Sequence, residues 1–218
     1  MGTYYRETLR KKYKIIMIRA GVTGGIGSGK SIVCHLFSIL GIPVYNADHS
    51  AKMLMESDER LKKEIKVLMG TASYFDDGSL NRSYMAAQVF KNEQLLQELN
   101  LLVHPVVMND YMTWLKDKGK SPYTLLEAAI MIETGIHKEL DAVIVVDAPE
   151  LLRISRVKRR DHRSEEEIKE IISRQWRSEE RIKYASFVVE NDDKNPVIPQ
   201  VLEIDNILRR KSNSGITS

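Results

Sequence analysis

In 218 residues the chain has one cysteine, Cys34. That excludes an intramolecular disulfide and any metal site built on several thiolates. No apolar run reaches the roughly 18 residues that cross a bilayer, so no membrane-spanning helix is expected. The net charge is only +3, too mild to imply a nucleic-acid surface, and no basic stretch is interleaved with aromatic residues for base stacking. Residues 1–14 are polar and basic and lack the apolar core of a secretory signal, so they read as a disordered extension. With a single cysteine, which lies in a helix where it reads as a packing residue, a cytoplasmic setting is expected.

Against this plain background stands Gly24-Gly25-Ile26-Gly27-Ser28-Gly29-Lys30-Ser31. It places a glycine, four free positions and Gly-Lys-Ser between an apolar run at residues 15–18, read as a first strand, and an amphipathic helix from Ile32. Glycines let backbone N–H groups converge on phosphate oxygens. Lys30 adds a charge, Ser31 offers a hydroxyl to magnesium, and the helix that follows directs its positive end at the same anion. The alternative, an ordinary strand-to-helix turn, does not account for the whole pattern.

Further along, Val33, Leu36, Phe37 and Leu40 recur at helical spacing and Gly41 stops the helix. Residues 42–45 read as a second strand that delivers Asp48. Strand ends in open α/β sheets face the ligand, which makes Asp48 a candidate carboxylate for an acceptor, with a helix N-cap as its competing role. Residues 50–118 are helical in pattern, with a turn at Phe75-Asp76-Asp77-Gly78 and a helix boundary expected at His104-Pro105. Apolar runs at 123–128 and 142–146 read as strands covered on both faces. A small helix is expected at 134–140. Ser164 and Glu167 have capping-box spacing, so a helix should run from there past Gln175. Residues 185–189 form the last strand candidate, a helix carries Val201, Ile204 and Leu208, and residues 211–218 read as a polar tail.

Phosphoryl transfer needs a phosphate cradle, a metal, a carboxylate for the acceptor and positive charge around the moving group. Glu127, near the end of a buried strand, is a candidate for magnesium, and a strand-end glutamate reaching solvent is the equal alternative. From Arg153 to Arg163 six basic residues accompany one acid, Asp161. A solvated helix face explains several of them, and Arg156 and Arg160 are the first choices for a closing lid. Arg82 and His104 are candidates for contact with an anionic substrate, although a lone histidine is more often structural.

Taken together, these residues resemble the dephospho-CoA kinases, P-loop enzymes that phosphorylate the ribose 3′-hydroxyl of dephospho-CoA. The resemblance spans about 18–192. It rests on the glycine loop, Asn46-Ala47-Asp48, Gly78-Ser79-Leu80-Asn81-Arg82, Leu99-Asn100 with His104-Pro105, Glu133, Val145-Val146-Asp147, Arg160-Asp161, and Phe187-Val188-Val189-Glu190-Asn191 in that order. It implies a three-layer α/β P-loop nucleoside triphosphate hydrolase fold with a parallel central sheet, a helical acceptor-binding insertion and a lid. On that reading the nucleotide core is 15–49 with 119–210, including a lid at about 153–175, and the acceptor domain is 50–118.

The resemblance further implies ATP and magnesium, with Gly25, Ile26, Gly27, Ser28, Gly29, Lys30, Ser31 and Ile32 at the nucleotide, Ser31 and Glu127 at the metal, Asp48, Lys30, Arg156 and Arg160 in catalysis, and Asp48, Arg82, His104 and Glu133 at the acceptor. The expected partners are dephospho-CoA and ATP, without nucleic acid or membrane, and self-association is left open. Ile32, Glu127 and Ala129 depart from the family's usual threonine, aspartate and proline. Competing readings are another small-molecule P-loop kinase, for a nucleoside monophosphate or sugar acid, and a regulatory NTP-binding module.

Overall fold

Parallel pairing on both sides of one strand sets the sheet. The computed structural model describes residues 17–214. Its five strands are β1 (Ile18–Thr23), β2 (Val44–Asn46), β3 (Tyr123–Glu127), β4 (Ala142–Asp147) and β5 (Phe187–Glu190), in the order β2-β3-β1-β4-β5. β1 runs parallel to both β3 and β4, and β4 runs parallel to β5. β2 forms an edge beside β3, where the Leu125 N–H donates to the Pro43 carbonyl at 2.9 Å. The helices are α1 (Lys30–Ile39), α2 (Ala47–Ser57), α3 (Glu59–Met69), α4 (Arg82–Lys91), α5 (Glu93–Lys116), α6 (Glu150–Asp161), α7 (Glu165–Ser173), α8 (Ser178–Ile182) and α9 (Val197–Ser214).

The chain divides into two units, 46–117 and the remainder. In the sheet unit, Val33 and Phe37 from α1 and Val201 and Leu208 from α9 pack with Val22, Leu125, Ile144 and Val146 in one buried core. A second cluster joins Ile154 and Val157 of α6 to Ile168 of α7, and Ile26 of the glycine loop packs against it. The α6–α7 segment is thereby seated on the loop.

The helical unit is built from α2 to α5, with α2 and α3 both packed on α5. Each of its helices starts with an Asx side chain that accepts a backbone N–H: Asn46 from His49, Asp58 from Leu61, Asn81 from Tyr84 and Asn92 from Leu95, at 2.8 to 3.1 Å. Such a cap contributes about 1 kcal/mol each. Tyr74 and Leu80 form an isolated antiparallel bridge around the turn at Gly78, whose N–H donates to Phe75 O at 2.9 Å.

Several boundaries differ from those the sequence suggests. The first strand is Ile18–Thr23 rather than 15–18, because hydrogen bonding to β3 and β4 holds Arg19, Gly21 and Thr23 in the sheet despite their low apolarity. Residues 1–14 and the apolar Ile15 and Ile16 lie outside the described residues. His104-Pro105 is not a boundary, since α5 continues through Pro105. The carbonyl that proline leaves without its usual intrahelical donor belongs to Leu101, a residue on the exposed side of the helix. The helix begun by the Ser164 capping box stops at Ser173, short of Gln175. Between residues 134 and 140 only a short 3₁₀ turn forms, Ile136–Glu139. The polar tail starts later than residue 211, because α9 carries on to Ser214.

Candidate active site

β1 has β3 on one side and β4 on the other, so the loop that follows it lies at the point where the strand order reverses, the place where open α/β sheets bind ligands. That loop is the glycine stretch. Gly27 and Gly29 have φ of 77° and 98°, in the left-handed region that costs other residues energy. Gly29 also serves as the N-cap position of α1, so the loop's N–H groups and the helix end converge.

Neighbours press closely on the loop. A Cβ on Gly25 would fall 2.8 Å from Arg153 Cζ, and one on Gly29 would fall 2.1 Å from Asn191 Nδ2. Asn191, just past β5, donates from that same nitrogen to Ser28 O at 2.8 Å. Arg153 Nε donates to Ile26 O at 3.0 Å, and the Ile26 N–H donates to Gln175 Oε1 at 2.9 Å. Lys30 Nζ folds over the loop and donates to Gly24 O at 2.8 Å and Gly25 O at 3.4 Å.

Ser31 Oγ donates to Glu127 Oε1 at 2.9 Å. Glu127 is 6% exposed, which rules out the solvent-reaching role considered for it. Burial pushes the nearby Cys34 thiol well above its ordinary pKa, and the Glu127 charge adds to the effect, so Cys34 is a packing residue and not a nucleophile. Among the described residues no group of three His, Cys, Asp or Glu side chains gathers to hold a metal. A magnesium site fits the Ser31 and Glu127 pair all the same, because that ion keeps several waters and takes only one or two protein oxygens beside substrate phosphates.

The other predicted residues fall in different places. Arg156 on α6 donates to Asn191 O at 3.0 Å and to Asp193 Oδ1 at 2.5 Å, tying α6 to the segment after β5. Arg160 lies near the end of α6 and donates to Asp161 at 2.6 and 2.8 Å. Glu133 belongs to the sheet unit, in the connection after β3, and forms an ion pair at 3.6 Å with Arg181. Asp48, Arg82 and His104 belong to the helical unit. Asp48 is in the first turn of α2, and the N-cap role falls to Asn46. Arg82, the first residue of α4, pairs with Glu56 at 3.2 Å, about 12 Å along α2 from Asp48 at 1.5 Å per residue. Burial holds the His104 imidazole below its ordinary pKa.

Sequence reasoning gave no site role to Gln175 or Arg181, and took Asp147 only as part of the Val145-Val146-Asp147 stretch. Ser178 Oγ donates to Asp147 Oδ1, which anchors α8 at the end of β4. Arg181, on α8, is the largest side chain below 2% exposure among the described residues. Its stretch Ser178-Glu179-Glu180-Arg181-Ile182-Lys183 reads as an ordinary solvated helix, so no local signal marked it.

A phosphate loop at the switch point of a parallel sheet, with Lys30 over it and a hydroxyl–carboxylate pair beside it, defines a P-loop phosphotransferase. The chain belongs to the dephospho-CoA kinase family, whose model matches residues 18–196. It is 39% identical to a dephospho-CoA kinase of Bacteroides fragilis over 194 residues, 89% of this chain and 94% of that protein. It is 36% identical to one from Porphyromonas gingivalis, with 89% and 96% covered. Among solved structures, TT1252 from Thermus thermophilus superposes with a TM-score of 0.78 at 32% identity, covering 88% of this chain and 97% of that one. A dephospho-CoA kinase from Campylobacter jejuni shares the fold, with a TM-score of 0.62 at 23% identity and coverage of 88% and 97%.

Proposed function

We propose that this protein transfers the γ-phosphoryl group of ATP to the ribose 3′-hydroxyl of dephospho-CoA, giving CoA and ADP, the last step of coenzyme A synthesis. The observation that carries the reading is the phosphate loop with Lys30 and the Ser31–Glu127 pair at the switch point of the sheet, in a chain of this family.

Residues Gly25 to Ile32 cradle the phosphates through their backbone N–H groups other than that of Ile26, which Gln175 holds, and Lys30 leaves the Gly24 and Gly25 carbonyls for the β- and γ-phosphate oxygens. Ser31 and Glu127 would hold magnesium, which would supply positive charge to neutralise the phosphate oxygens. Asp48 takes the proton of the 3′-hydroxyl. The acceptor oxygen forms its bond to the γ-phosphorus as the bond to the β–γ bridging oxygen breaks, and ADP leaves with that electron pair.

Residues 50–118 form the acceptor domain, with Arg82 and His104 contacting dephospho-CoA together with Glu133. The segment at about 153–175 acts as the lid, in which Arg156 and Arg160 add positive charge to the phosphates. The setting is cytoplasmic, in keeping with a buried, unpaired Cys34.

Incubation with ATP, magnesium and one acceptor at a time tests the reading. Rapid ADP formation with dephospho-CoA, beside little with nucleoside monophosphates or sugar acids, is expected. Rapid turnover of one of those acceptors and none of dephospho-CoA overturns it.

A further inference from the structure

Three charged side chains of the sheet unit, one of them against the glycine loop, have more hydrogen-bonding capacity than their surroundings use. Arg181 is 1% exposed, yet its Nε and Nη2 have no hydrogen-bond partner, and neither oxygen of Glu133 has one. The two face each other at 3.6 Å, an ion pair too long for a hydrogen bond. Arg153 is 5% exposed and its Nη2 is likewise without a partner. Buried polar groups are nearly always paired, because leaving one unpaired costs its full desolvation. A guanidinium has five donors and no way to shed its charge, so this cost persists unless an acceptor arrives.

The position of the cluster says what that acceptor is. Arg153 touches Gly25 and Ile26, and burial, with the Arg181 charge adding to it, disfavours the protonated form of Arg153. Gly25 O also receives the Lys30 ammonium, the group that reaches the β- and γ-phosphates in such loops. Arg153 therefore lies on the side of the loop where the terminal phosphoryl group sits, with Arg181 close enough to it for their charges to interact. The start of α8 is held in place by Ser178 on Asp147 and, just before it, by Gln175 on the Ile26 N–H.

We propose that Arg181 is a further catalytic residue of the transfer: its guanidinium, steered by Glu133 and backed by Arg153, donates to the oxygens of the γ-phosphoryl group as charge builds on them. Donors fixed in a water-poor pocket act without reorganising at the moment of reaction, which is where such groups are most effective. Glu133 offsets the buried charge and holds the guanidinium in register. Arg153 holds the loop against which Arg181 is aimed. The inference rests on the phosphoryl-transfer reading of the loop but not on the identity of the acceptor.

The test compares the affinity for ADP alone with that for ADP plus aluminium fluoride, a mimic of the transferring phosphoryl group, both with magnesium. The parent should bind the second combination more tightly by a factor on the order of 10 or more. Arg181→Lys, which keeps the charge and loses the planar fork, should bind ADP within about threefold of the parent and lose that gain, with turnover falling on the order of 10²-fold.

If Arg181→Lys fails to fold, Arg181→Met with Glu133→Gln removes both charges together, a change that buried pairs commonly tolerate, and Glu133→Gln alone is the control. The double variant should lose the gain entirely, whereas the control, in which Arg181 keeps its fork and loses only its ionic partner, should lose part of it. An Arg181→Lys protein that retains the full gain, or a double variant no worse than its control, overturns the assignment. So does a loss confined to the KM for dephospho-CoA. Because the fluoride measurement needs no acceptor, absence of turnover with dephospho-CoA in the parent would count against the acceptor and leave the Arg181 result readable.

Discussion

The Ser31 hydroxyl donates to Glu127 Oε1 at 2.9 Å, joining the end of the phosphate loop to the end of β3. The carboxylate is buried at the end of the loop, in reach of a cation that would sit at the phosphates. Glu127→Gln keeps the shape and removes the charge. The magnesium concentration for half-maximal rate should rise about 10-fold or more at saturating ATP, with little change in melting temperature. A magnesium titration of the initial rate measures this, and an unchanged half-point would remove Glu127 from the metal site.

The conformation of the loop makes a second prediction. Gly29 has φ 98°, and a Cβ there would meet Asn191 Nδ2 at 2.1 Å. That nitrogen cannot withdraw without giving up Ser28 O. Gly29→Ala should therefore lower stability by about 1–3 kcal/mol from backbone strain alone and abolish measurable ATP binding. Adding Asn191→Ala removes the clash and leaves the strain, so it should recover part of the melting temperature. No recovery in calorimetry would mean the clash is not the cause.

The legibility of this chain follows the range of the forces involved. The phosphate loop was readable because its glycines satisfy a purely local requirement on the backbone. β3 and β4 were readable because strands covered on both faces are continuously apolar. β1 was placed too early because its pairing with two neighbours tolerates Arg19, Gly21 and Thr23, and pairing across the sheet leaves no local pattern. Pro105 looked like a helix end because its effect depends on whether the orphaned carbonyl meets water, which only burial reveals. Arg181 was invisible for the same reason. Its partner Glu133 is distant in sequence, and nothing around it departs from a solvated helix.

Asp48 yields a third prediction. Asn46 accepts the His49 N–H at 2.8 Å and so does the capping that Asp48 was otherwise suited for. Asp48→Asn should leave ATP affinity and the melting temperature close to those of the parent, while kcat falls by about 10²- to 10⁴-fold, as for loss of a general base. Nucleotide titration together with single-turnover rates separates the two effects. A rate near that of the parent would move the base elsewhere.

His104 gives a pH dependence. Its burial in α5 lowers its pKa below the ordinary 6.5 because the protonated form is poorly solvated there. The unfolded chain therefore takes up this proton at a higher pH than the folded protein does. Stability rises with pH wherever the unfolded state binds more protons, so the contribution of His104 is complete above pH 6.5 and is lost as pH falls through the folded value. His104→Gln removes the titration. Melting temperatures of the parent should drop more steeply than those of the variant as pH falls from above 6.5 into this window, and the two curves should run parallel above it. Because every other titrating group is common to both proteins, the difference between the curves isolates His104. Parallel curves throughout would show that the imidazole titrates as it does in the unfolded chain.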